Sequence, residues 1–252
     1  MNDMTKTVRD KQLFNRIALE YCAKDLYSPS RLARVHRLLR TLKGVECGEH
    51  ARVLEVGCGA GYAATYLEGY YSYFCGIDHA EELIDFAKTT NGGESRCFEA
   101  VDVNDFEPFE RFDVVIMIGV VHHLEDPVNV LARIRTMIKA GGWLVVNEPH
   151  PGNPFVSMAR AVRKRVDKKY SVDQRELAED ELRKLFISAG YTDINVRAQG
   201  VFSTPFAEIT LRPRWLMLPA ARIACALDEK IDMLPASFLK RVSWNLVVAG
   251  RA

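Results

Sequence analysis

Residues 53 to 62 read VLEVGCGAGY, an apolar run interrupted by Glu55 and followed by Gly57, Gly59 and Gly61, each one residue apart. Losing side chains at alternate positions lets a partner touch the backbone, and after a short apolar run that partner is expected to be a ligand. About 20 residues after the first glycine, Asp78 closes a second apolar run, where a carboxylate can accept hydrogen bonds from both hydroxyls of a ribose. These features fit a dinucleotide or an adenosine derivative. A dinucleotide site favours GxGxxG, so that a helix N-terminus meets the pyrophosphate, whereas this chain has GxGxG with Glu55 just upstream. A carboxylate there repels a pyrophosphate and suits a ligand carrying an ammonium and a sulfonium.

Candidates for proton transfer lie further along, at His122 and His123 in VVHHLEDP and at His150 in EPHPGNP. Histidine titrates near 6.5 and a phenol near 10, so a histidine beside an acceptor hydroxyl can assist as a general base. His122 and His150 stand equally as candidates, and His123 reads as a structural residue bonding the backbone. Asp78 is expected to be functional, because a carboxylate ending a strand has few structural uses.

The elements that must position these residues alternate. ARVLEV (51–56), SYFCGID (72–78), SRCFEAVD (95–102), FDVVIMI (112–118) and GWLVVNE (142–148) read as strands. Between them, AEELIDFAKTT places Leu83, Phe86 and Ala87 on one helical face. DPVNVLARIRTMIKAGG predicts a helix capped by Asp126, with Pro127 in its first turn, a face of Val128, Leu131, Ile134 and Ile138, and its end at the glycines. Strict alternation means βαβ units and a mostly parallel, doubly wound α/β sheet with helices on both faces. His122, His123 and His150 then follow the carboxyl ends of strands four and five, the edge where such sheets bind ligands. Before this core, residues 14–44 read as two helices broken near SPS.

The chain has 252 residues and a net charge of +1, enough for one well-buried core and without the basic excess of a nucleic-acid binder. Six scattered cysteines show no CxxC pair and no metal-ligand spacing, so reduced thiols in a cytoplasmic protein are expected and no metal is called for. The opening stretch MNDMTKTVRDK is polar, and no segment approaches the roughly 18 apolar residues of a spanning helix.

Taken together, VLEVGCGAGYAATYL, GIDHAEELIDFAK, VDVNDF, FDVVIMIGVVHHLEDP and MIKAGGWLVV resemble the class I S-adenosylmethionine-dependent methyltransferases, in particular the group similar to ubiquinone and menaquinone biosynthesis methyltransferases. The resemblance implies a Rossmann-like sheet of seven strands with the last antiparallel. It also implies one domain over 1–252, comprising an N-terminal helical cap (1–48), a cofactor-binding core (49–150) and substrate-side insertions (151–175 and 200–240). EDELRKLFISAGYTDINV and SWNLVVAGR fit that family's last helix and strands, and Ala140 departs from its usual proline at what is expected to be a turn. By the same resemblance, S-adenosyl-L-methionine is the cofactor and S-adenosyl-L-homocysteine its product. Glu55 and the backbone of Gly57, Cys58, Gly59 and Gly61 would hold the methionine end. Asp78, with His79 beside it, would take the ribose, and Asp102 and Val103 the adenine. Ile118 and Gly119 would face the amino group and the methyl, and Tyr21 would close over the cofactor.

The segment FVSMARAVRKRVDKKY (155–170) is basic at helical spacing, and the apolar, aromatic stretch 200–240 carries interspersed arginines. The first reads as a solvated cap over the site, the second as a wall around a hydrophobic small-molecule acceptor such as a quinone precursor, polyketide or lipid. Peripheral membrane contact through both is the competing reading, as is a homodimer interface. Two other functions stand beside methyl transfer: a non-catalytic S-adenosylmethionine-binding protein and a NAD-dependent oxidoreductase, the latter disfavoured by GxGxG and Glu55.

Overall fold

A computed structural model describes residues 6–45, 47–151, 153, 177–231 and 236–252, without the side chains of 6–7, 19–21 and 236–237. The basic segment 155–170 and the Tyr21 side chain therefore lie outside the described residues. Helices α1 (Lys6–Leu26) and α2 (Ser28–Thr41) precede the sheet. They part at Tyr27, whose extended backbone makes it the N-cap of α2, and the SPS triplet forms the first turn of that helix, where proline is tolerated.

The sheet is built from β1 (Arg52–Val56), β2 (Tyr73–Asp78), β3 (Arg96–Ala100), β4 (Phe112–Ile118), β5 (Ile138–Pro149), β6 (Thr192–Gln199) and β7 (Asn245–Arg251). Its order is β3-β2-β1-β4-β5-β7-β6, and β7 runs antiparallel to both neighbours. Strands β1 and β4 pair in register from Val53 with Val114 to Val56 with Met117. Apart from Glu55, these residues are apolar at consecutive positions because the sheet is covered on both sides. Leu54, Val115, Met117, Leu144 and Val146 pack with α5 (Pro127–Met137) and α6 (Glu179–Ser188), while Val53, Val114, Ile116 and Val145 pack with α2, α3 (Tyr62–Tyr66) and α4 (Glu81–Asn91).

Helix α5 departs from its predicted course. Asp126 does cap it, Oδ1 accepting from Asn129 N–H at 3.2 Å, with Pro127 in the first turn. Its buried face is Pro127, Val130, Leu131, Ile134 and Met137, and Val128 is only half-buried. The helix stops at Met137, four residues before the glycines begin, because Ile138 already pairs with Phe112 as the start of β5. Ala140 thus sits in a strand, and Gly142 is needed there because a Cβ would lie 2.7 Å from the Asp113 carbonyl oxygen.

Between β6 and β7 the chain inserts α7 (Thr204–Glu208), α8 (Arg214–Ile231) and α9 (Ala236–Val242), and α7 and α8 pack on α2. Asp228 of α8, 1% exposed, anchors the insertion: its carboxylate accepts from the backbone N–H groups of Val201, Phe202 and Ser203 at 2.9–3.0 Å and from the Ser203 hydroxyl.

Candidate active site

The glycine loop after β1 turns on three positive φ angles, 73° at Gly57, 52° at Gly59 and 72° at Gly61, which L side chains rarely adopt. Ligand access is not the sole reason for the glycines. A Cβ on Gly57 would lie 2.5 Å from Val120 Cγ2, and one on Gly61 2.5 Å from the Phe98 ring, so two of the three let protein pack onto the loop. The turn is held from outside by Asn91, whose Nδ2 donates to the Ala60 carbonyl at 2.8 Å and whose Oδ1 accepts from Thr65.

Asp78 has a structural task that the sequence reading did not foresee. Its Oδ2 accepts from Gly59 N–H and its Oδ1 from Ala80 N–H, both at 2.9 Å, so one carboxylate fixes the glycine loop to the start of α4. Each oxygen retains further acceptor capacity, which leaves the expected ribose role chemically open. Val101 N–H donates to the Asp78 carbonyl at 3.0 Å and brings the end of β3 alongside. There Asp102 Oδ1 accepts from Asn104, and the Val103 carbonyl accepts from Arg133.

Glu55 is 6% exposed, and its Oε2 has no hydrogen-bond partner among the described residues. Burial pushes its carboxyl well above the usual range, Asp78 and Asp25 reinforce the rise, and Arg34 opposes it. The adjacent Cys58 thiol is likewise raised, mainly by burial. Beyond Glu55 stands a buried network in which Asp25 pairs with Arg34 and accepts from Tyr66 Oη at 2.7 Å. Glu55 is thus a buried carboxyl with a bare oxygen and no ion-pair partner among the described residues, next to a loop whose Gly57 and Cys58 N–H groups both donate to the Ile77 carbonyl.

At the ends of β4 and β5, Glu148 organises the histidines. It is fully buried, its Oε1 accepts from Val120 and Val121 N–H at 2.9 and 2.7 Å, and its Oε2 lies 2.6 Å from His122 Nδ1. Gly119, at φ 68°, donates to the Asn147 carbonyl and turns the chain from Ile118 into this loop. His123 is held by a side chain and not by the backbone bond expected of it: Nδ1 lies 2.8 Å from Asp10 Oδ2 on α1. Phe14, one turn further along α1, sets its ring edge-on to both His79 and His123. Helix α1 thereby lies over the loops that follow β1, β2 and β4 and buries Ala18 and Cys22 with Ala60, Ala80 and Leu83.

The structure therefore joins Glu55, the glycine loop, Asp78, His79, Gly119 and His122 along one edge. His150 stands apart from Glu148 in the way it is held, its N–H donating to the Trp244 carbonyl at 2.8 Å beside β7. Sequence reasoning missed Glu148, Asp10 and Phe14. Glu148 carried a signal, a carboxylate closing an apolar strand, whereas Asp10 and His123 are 113 residues apart and no local pattern links them.

Residues 54–146 match the family model described as a methyltransferase domain. Residues 54–146 form a class I methyltransferase domain. Among relatives of this domain, the ubiquinone biosynthesis O-methyltransferase of Bradyrhizobium sp. is 30% identical over 119 residues, 46% of this chain and 47% of that protein. The malonyl-[acyl-carrier protein] O-methyltransferase of Bacillus anthracis is 27% identical over 72% of this chain and 69% of its own. The chain spans about half the length of the ubiquinone-pathway relatives it matches. In structure, a SAM-dependent methyltransferase of Thermotoga maritima superposes over 95% of this chain and 98% of its own with a TM-score of 0.66 at 19% identity, a likeness of fold. The matched residues run from β1 into β5; α6, β6, β7 and the insertion between β6 and β7 fall outside them.

Proposed function

We propose that this protein is an S-adenosyl-L-methionine-dependent methyltransferase that modifies a hydroxyl of a small, hydrophobic acceptor. The residues present suit the cofactor: Glu55 offers a buried carboxyl without an ion-pair partner among the described residues, and the glycine loop turns beside it on three positive φ angles. Glu55 would pair with the ammonium, Asp78 would accept from the ribose, Asp102 and Val103 would border the adenine, and Ile118 and Gly119 would flank the methionine end. When bound, S-adenosylmethionine supplies a methyl carbon already activated by a sulfonium.

What remains for the protein is alignment, exclusion of water and handling of one proton. The observation that carries the oxygen assignment is the Glu148–His122 pair at 2.6 Å. A carboxylate on Nδ1 keeps the neutral ring's proton there, so Nε2 becomes the basic nitrogen that receives the acceptor's hydroxyl proton. Because Glu148 also holds Val120 and Val121 N–H, the ring and its loop move as a unit. Asp10 on His123 and Phe14 between His79 and His123 seat α1 as the cover that keeps water out. Both curated relatives bear the name O-methyltransferase, which agrees with a hydroxyl acceptor. His150 is the weaker candidate because its position is set by β7.

Calorimetric titration of the purified protein with S-adenosylmethionine, S-adenosylhomocysteine and NADH tests the cofactor. Micromolar binding of the first two and none of the third is expected. Binding of NADH alone makes the loop a dinucleotide site and overturns the proposal.

A further inference from the structure

Helix α8 divides sharply between its two faces. Ala221, Ala224, Cys225 and Asp228 are buried toward α2, and Asp228 locks that face to the 201–203 loop. The opposite face is apolar and open to solvent: Trp215 is 77% exposed, Ile223 61%, Leu216 47% and Leu227 41%. Leu216, Pro219, Ile223 and Leu227 recur at helical spacing, so they form one continuous stripe with Trp215 at its head. Such a stripe costs solubility unless something covers it.

The charges beside the stripe indicate its occupant. Arg212, Arg214 and Arg222 are exposed, and no acidic residue occurs from Ile209 to Leu227. The exposed carboxylate of α8, Glu229, lies beyond the stripe and approaches His36 of α2, so the tryptophan and leucines of the stripe itself are bordered by arginines, the composition of a helix lying in the headgroup region of an anionic bilayer. A protein partner of ordinary composition would favour charges of both signs at the rim, whereas an anionic lipid surface is matched by cations alone. No helix among the described residues is long and apolar enough to cross a membrane, so the contact is a surface one.

We infer that the exposed face of α8, Trp215–Leu216–Pro219–Ile223–Leu227 with Arg212, Arg214 and Arg222, docks the protein on an anionic membrane surface. The inference stands on α8 alone and is independent of the chemistry proposed for the site. It gives a hydrophobic acceptor a route from bilayer to enzyme without passage through water.

Flotation with vesicles of phosphatidylcholine alone and of phosphatidylcholine with one quarter phosphatidylglycerol tests it on the full chain. Binding to the anionic vesicles, weak binding to the neutral ones and release at high salt are expected, with a blue shift of tryptophan emission that Trp215→Phe removes. Each of Arg212→Gln, Arg214→Gln and Arg222→Gln should weaken binding about fivefold, and Ile223→Asp should abolish it. All of these side chains are exposed, so unchanged circular dichroism and melting temperature are expected and serve as the folding control. Undiminished vesicle binding by Ile223→Asp, from segment 155–170 or any other surface, overturns the assignment to α8. A dimer in sedimentation velocity that Ile223→Asp dissociates, with no vesicle binding by the parent protein, overturns it in favour of a second copy.

Discussion

Glu55→Gln separates a carboxyl that meets a cation from one that is merely buried. In the folded protein burial, Asp78 and Asp25 hold the Glu55 carboxyl well above its ordinary 4.5, so over a pH range above 4.5 it retains a proton that an unfolded chain has lost. A ligand ammonium favours the carboxylate, so binding must expel that proton. Below the raised pKa, wild-type protein should release up to one proton per S-adenosylhomocysteine bound, and affinity should climb toward tenfold per pH unit. Glutamine has no proton to lose and should show neither effect. A hydrogen bond to a charged partner contributes about 1.5–3 kcal/mol, and 1.36 kcal/mol is tenfold, so where Glu55 is ionised the substitution should weaken binding about 10- to 150-fold. At lower pH the gap should narrow, because wild-type protein first has to ionise its own carboxyl.

The assay is titration calorimetry with S-adenosylhomocysteine between pH 5 and about 7.5, below the ligand α-amino pKa of roughly 7.7–8. Two buffers of different ionisation enthalpy convert the difference in heat into protons released. Proton release that is equal in both proteins, or a pH-independent affinity ratio, refutes the pairing of Glu55 with the ammonium. Stability offers a second reading with the opposite sign. A carboxyl whose folded pKa is raised contributes its full stability below the unfolded value of about 4.5 and loses it as pH rises through the folded value. The ligand-free protein should therefore soften with rising pH in a way that Glu55→Gln does not.

Asp78→Ala should weaken S-adenosylmethionine binding by well over tenfold, and because Asp78 also holds Gly59 and Ala80 it should lower the melting temperature, which differential scanning calorimetry will show. Glu148→Gln keeps one oxygen for Val120 and Val121 but turns an amide toward His122 Nδ1, which shifts the ring proton to Nε2; kcat with a hydroxyl acceptor should fall about 100-fold or more while S-adenosylhomocysteine affinity changes less than twofold. Glu208 is opposed by its burial but is drawn down to about 2 by Arg37, Lys24 and Arg34, so its contribution is present above the unfolded 4.5 and is lost as pH falls through 2. Glu208→Gln should accordingly lower the melting temperature at pH 7 and leave it unchanged near pH 2, as thermal melts across that range will show.

The succession of the first five strands was legible because consecutive apolar residues mark strands covered on both faces, and GxGxG with Asp78 at matching strand ends marks one edge of the resulting sheet. Misreadings arose where tertiary pairing overrode local pattern. The α5 pattern continues through Ile138, but the chain there is claimed by Phe112 of β4, and a hydrogen-bonded strand partner outweighs one more helical turn. Glu148 looked like the polar tail of a strand, and only the fold shows three donors converging on it. The cover of the site was the least legible part, since Asp10 and Phe14 acquire meaning from histidines more than a hundred residues away.

The same comparison changes what the glycines mean. A loop whose glycines served ligand access alone would tolerate alanine at the cost of affinity. Here Gly57 and Gly61 are confined by Val120 and Phe98, and Asp78 spends two acceptor positions on the loop and on α4. Val120 in turn is held by Glu148, which also holds His122. The glycine loop and the Glu148–His122 pair are therefore linked by the packing of Gly57 against Val120, and α1 spans both loops. With the roles proposed above, these contacts would set cofactor position and base position together, the alignment that a direct displacement requires of its catalyst.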